Sequence, residues 1–176
     1  MLGKFGSVFG IKAKHLFAAS LVAASVGGAS AAAAHTQCAP YAREVSGIDL
    51  HGAAASWWGE AAGNYGRGNA PKMGAVLAFR ATHAMRSGHV AVVEKVVDAR
   101  HVLLNHANWS GRGAIEHGAM AEDVSANGDW TEVRVWYAPI HALGLRASPT
   151  FGFIYKDAPK SAELALADDT APKSHS

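Results

Sequence analysis

Cys38 is the single cysteine of the chain, and it stands in "HTQCAPYAREVSG" with Pro40 two residues on. A thiol attacks carbon as its thiolate. At a free pKa of ~8.5 about 3% is ionised at pH 7, and at a pKa of ~6 about 90%. A helix N-terminus and a neighbouring imidazole both lower that pKa. Pro40 fits a first helical turn, where its missing N–H would be unpaired anyway. The segment "APYAREVSG" therefore predicts a short helix closed by Gly47, with Cys38 at its start and a depressed thiol pKa. Of ten histidines, His89 is the best placed. It follows Gly88 and opens the apolar strand "HVAVVEKV", so its backbone is fixed while its ring sits at a sheet end. The next strand carries His106 and Asn108 on the face it shares with Val102 and Leu104. Polar residues that finish an apolar face need partners when buried. The chemistry this set could do is acyl transfer: Cys38 attacks a carbonyl, backbone N–H groups hold the oxyanion, and His89 moves the proton. Gln37 and Tyr41 are further oxyanion-donor candidates. An inert packing thiol and a solvent-facing histidine at a strand edge are the competing readings of the same residues.

The elements that must position these residues follow from periodicity. A second helix is predicted within "HGAAASWWGEAAGNYG", where Trp57, Ala61 and Tyr65 recur at i, i+4, i+8 and Gly66 stops it. From "NAPKMG" onward the period changes to two. Residues 75–79, 89–97, 101–109, 130–137 and 151–155 predict strands, with a hairpin at "DAR". Residues 80–88 and 110–129 are glycine-rich, polar connections. Helices first and antiparallel strands after them make an α+β domain.

The chain begins with a basic stretch (Lys4, Lys12, Lys14) and runs from about Leu16 through small apolar residues into "AAAAHTQ". That is the pattern of a signal peptide over residues 1–34, cleaved near Ala34 or Ala31. Its alanines, glycines and serines are weak as a membrane span. Removing it leaves 142 of the 176 residues, enough for one domain. The leader holds three of the 16 Lys and Arg, so 13 bases face 14 acids and the net charge becomes −1. No basic run survives to argue for nucleic acid. The expectation is a secreted or periplasmic monomer with no stable membrane insertion after leader removal. Residues 35–156 form its domain and residues 157–176 a disordered polar tail.

The ordered set "QC-PYAR", "WW", "PKMGAVLAF", "GHVAVVEKV" and "NHANW" resembles the CHAP family, over roughly residues 36–137. These are cysteine, histidine-dependent amidohydrolases/peptidases, papain-like enzymes that cut peptidoglycan peptides. The resemblance implies a papain-like CHAP fold, with N-terminal helices packed on an antiparallel sheet. It also implies peptidoglycan peptides as substrate, Cys38 as nucleophile and His89 as general base; the sequence has no H-E-x-x-H and no cysteine pair, so no cofactor and no metal is expected. The commoner family pattern ends its strand Glu-x-Asn-aromatic; here the strand reads His106-Ala107-Asn108-Trp109. His106 is therefore the expected orienting group, with Asn108 in support. A neutral imidazole can accept a hydrogen bond from His89, but it cannot stabilise an imidazolium as a carboxylate does. Two other functions compete. One is a non-catalytic CHAP-like module that binds wall material or a partner. The other is a zinc amidase built from His83, His89, His106 and His117, for which no recognised ligand spacing exists.

Overall fold

The computed structural model describes residues 36–156; the expected leader over residues 1–34 and the tail over 157–176 lie outside the described residues. The chain first forms α1 (Cys38–Ser46), a 3₁₀ turn (Ala54–Ser56) and the single-turn α2 (Trp57–Glu60). Strands follow: β1 (Gly66–Gly68), β2 (Val76–Phe79), β3 (His89–Val96), β4 (His101–Ala107), β5 (Ile115–Asp123), β6 (Glu132–Tyr137), β7 (Ala142–Leu143) and β8 (Ser148–Tyr155). Short helices ahead of an antiparallel sheet bear out the α+β class. The sheet order is β1-β8-β2-β3-β4-β5-β6-β7. Because β8 pairs with β6 as well as with β2, the strands close into a barrel-like sheet.

Burial on both faces of β3 explains its continuous apolar run. Val90 and Val92 pack with Ala42, Ile48 and Trp57 on the helix side. Ala91 and Val93 pack inside the barrel with Phe79, Leu104, Trp130 and Phe153. Each of these large side chains contributes about 1.5–3 kcal/mol by leaving water, so β3 is held from both sides. α1 lies on β3 and β4. It ends as expected at Gly47, whose left-handed backbone (φ 66°) lets its N–H reach the Arg43 carbonyl.

Two expectations fail. The second helix is only a 3₁₀ turn and one α turn. Trp57 and Ala61 are buried at i, i+4 as its pattern requires, but Gly59 weakens the turn from within and Gly63 turns left-handed at φ 76°. Gly66 then opens β1 instead of capping a helix. The second failure is the connection 110–129, which contains the nine-residue β5. Its inward positions toward the C-terminal end are Ala119, Ala121 and Asp123. Two alanines and an acid carry no hydrophobic alternation, although the Asp123 carboxylate is buried against Arg100 at 3.3 Å.

Candidate active site

Cys38 opens α1. Gln37 before it has extended backbone (φ −102°, ψ 155°), so the chain turns into the helix at the thiol. Backbone N–H groups of Val90, Ala39 and Cys38 itself are directed to the sulfur. Each favours a thiolate, yet burial outweighs them and pushes the Cys38 thiol above its usual 9.0. The expectation of a depressed thiol pKa is thus corrected. The site is dry enough that the resting proton stays on sulfur.

Val90 follows His89, so the donor that reaches the sulfur fixes the thiol beside the first residue of β3. His89 is 3% exposed and sits among Phe79, Trp109 and His106, with ring centroids at 5.3, 4.9 and 5.2 Å. Its Nε2 lies 3.1 Å from His106 Nδ1. With Nε2 engaged, Nδ1 is the nitrogen His89 has for a thiol proton. Burial first, and the His106 ring second, hold its pKa well below 6.5, so His89 is neutral at pH 7 and able to accept that proton.

Gly88 is what lets His89 stand there. Its φ is +66°, and a Cβ would lie 2.8 Å from the Ala55 nitrogen and 2.9 Å from Ala55 Cα. The Ala55 N–H also donates to the Ser87 carbonyl at 2.8 Å, so that backbone cannot retreat without losing a hydrogen bond. Gly88→Ala should therefore cost at least about 1–3 kcal/mol from the left-handed backbone alone. Denaturant titration would show the lost stability. A kinetic assay would show a larger loss of kcat than the same destabilisation produces elsewhere.

His106 is wholly buried. Burial lowers its pKa to about 4, opposed by the Glu116 carboxylate, so it too is neutral. It faces His89 in the position where the commoner pattern has glutamate. His106→Ala should lower the rate by about 10²–10⁴-fold, the range for losing the group that orients a general base. His106→Glu should retain activity and move the acidic limb of the pH profile upward, because a carboxylate beside His89 raises its pKa. Rate–pH profiles of the two variants check both.

Asn108 does not join this pair. β4 ends at Ala107 and Asn108 turns left-handed at φ 64°, which breaks the two-residue alternation. Its Oδ1 accepts the Gly113 N–H at 2.9 Å, and its Nδ2 donates to Gln37 Oε1 at 3.0 Å. Asn108 thus fixes the amide that precedes Cys38, and only His106 is brought to His89. Two more side chains border the pair, and of these Glu116 went unrecognised in the sequence. Trp109 lies against both histidines, anchored by its Nε1–H to the Trp136 carbonyl at 3.1 Å. Glu116 lies on β5, with Oε2 3.4 Å from His106 Nε2.

Cys38, His89, Asn108 and Trp109 line one cleft of about 1080 Å³, walled by residues 82–88 and 144–149. Of the histidines weighed for zinc, His117 is held on Asn105 Oδ1 at 3.2 Å and against Tyr41. Among the described residues no three His, Cys, Asp or Glu side chains converge as a metal site would require. No curated protein matches the chain. Residues 28–108 match the family model of the CHAP domain, whose members are generally hydrolases of peptidoglycan. That stretch runs from before the thiol helix to Asn108 and takes in Cys38, His89 and His106, so the site lies within a segment that matches the CHAP domain family.

Proposed function

We propose that the protein is an exported cysteine hydrolase that cleaves peptide or amide bonds of peptidoglycan through a Cys-His thioester. The observation that carries this reading is the meeting at one cleft of a helix-borne thiol, Cys38, and a buried imidazole, His89, which is paired behind the cleft with His106. Export rests on the leader pattern alone. In the first step the Cys38 sulfur bonds to the carbonyl carbon while its proton passes to His89 Nδ1. The oxyanion is met by backbone N–H groups at the start of α1. The Gln37 side chain, next to the thiol, is held through its Oε1 by Asn108. His89 then gives the proton to the leaving nitrogen, the C–N bond breaks, and a thioester on Cys38 remains. Water, deprotonated by the same nitrogen, releases the acid and restores the thiol. Arg86 and Arg146 on the cleft walls suit a peptide that carries carboxylates.

The raised thiol pKa favours a second reading, a non-catalytic module that binds wall material. Purified peptidoglycan incubated with the protein separates the two. The hydrolase releases fragments, stops after iodoacetamide treatment and continues with a chelator present. Binding without release supports the module. Loss of release with the chelator alone points to metal chemistry instead.

A further inference from the structure

We infer that Glu116 is a positioning residue that sets the tautomers of His106 and His89 in series, so that the lone pair of His89 Nδ1 faces Cys38. Its consequence for turnover rests on the hydrolase reading; the tautomers themselves do not.

A neutral imidazole carries one N–H, and the 3.1 Å contact between His89 Nε2 and His106 Nδ1 allows two arrangements. If His106 carries its proton on Nδ1, it donates to His89 Nε2. The His89 proton then sits on Nδ1, toward the cleft, and the ring cannot take a proton from the thiol. If His106 carries its proton on Nε2, its Nδ1 accepts from His89 Nε2–H and His89 Nδ1 is a base. The group facing His106 Nε2 decides between them. That nitrogen is buried and makes no hydrogen bond to any described residue, while Glu116 Oε2 lies 3.4 Å away. An ionised carboxylate only accepts, so it favours the second arrangement and disfavours a lone pair at that nitrogen.

Glu116 is itself built into place. It is the register partner of His106 across β4 and β5, and its side chain is 14% exposed. The Ser110 N–H donates to Oε2 at 3.1 Å and the Ser110 hydroxyl to Oε1 at 2.7 Å. The Ala138 N–H in turn donates to that hydroxyl at 3.1 Å. The ionisable groups acting on the two rings are His106, on His89, and this carboxylate, on His106. The negative charge absent from position 106 thus stands one residue further out, where it can polarise His106 as His89 becomes an imidazolium.

The test is the side-chain ¹⁵N spectrum of the full chain, with kinetics of the same samples. Expected in the unmodified protein is the Nε2–H tautomer at both His89 and His106. Glu116→Gln keeps an acceptor oxygen but loses the charge. It should preserve both tautomers, lower kcat with KM nearly unchanged, and shift the acidic limb to lower pH, since a less stabilised imidazolium is a weaker base partner. Glu116→Ala should mix the tautomers and lower kcat by about 10–100-fold, the usual cost of losing an outer-shell orienting partner. A Nδ1–H tautomer at His106 in the unmodified protein overturns the inference, and so do tautomers and kcat unchanged in Glu116→Ala. If the expected tautomers are found in a protein that cleaves nothing, the tautomer assignment stands and the hydrolase reading falls.

Discussion

Cys38→Ser should lose hydrolysis by a factor on the order of 10⁴–10⁶ while folding normally. The substitution changes one atom in a half-buried position at a helix start, so α1 and its packing on β3 keep their contacts. What changes is the nucleophile. A serine hydroxyl holds its proton far more tightly than a thiol, and the donors around it are outweighed by burial even for sulfur. His89, with a pKa already well below 6.5, is too weak a base to activate that hydroxyl. Circular dichroism and thermal unfolding should be unchanged, and fragment release should fall to background. Substantial activity in the serine variant would remove the thioester from the mechanism.

His89→Ala should cost on the order of 10⁴-fold or more, and the pH profile should change shape. In the unmodified protein the reactive form has a neutral imidazole and a protonated thiol. His89 is neutral above a pKa held well below 6.5, and Cys38 is protonated below one pushed above 9.0. The ratio kcat/KM should therefore be flat between about pH 6.5 and 9. Without His89 only spontaneous thiolate can attack, so the residual rate should climb with pH toward the thiol pKa. His101, which is paired with Asp98 at 2.9 Å, and His117 should tolerate alanine with little loss. Equal losses at those positions would mean that the base has been misassigned.

The parts of this site that were legible before the structure are the parts with strong local signals. Cys38 and Pro40 mark a helix start, and Gly88-His89 followed by apolar residues marks the entry to a buried strand. The tuning of the site was not legible in the same way. Helix placement argued for a low thiol pKa, but the burial that reverses it comes from residues distant in the chain, Val90 and Val92 among them. Asn108 seemed to share a face with His106 because alternation was carried one residue past the strand end. Glu116 was invisible because β5 has alanines and an aspartate at inward positions, so the strand that brings a carboxylate to His106 had no hydrophobic pattern to reveal it. The short turn 54–60 failed for a related reason: Trp57 and Ala61 have helical spacing, but Gly59 and Gly63 limit it to one turn.

Mass spectrometry of the material released from purified peptidoglycan tests the central claim most directly, comparing the unmodified protein with Cys38→Ser and His89→Ala. The prediction is fragments bearing a new carboxyl and a new amino end at one type of bond, formed by the unmodified protein and absent with both variants. Release that persists in the Cys38 variant, or peptidoglycan left intact by the unmodified protein, would contradict it.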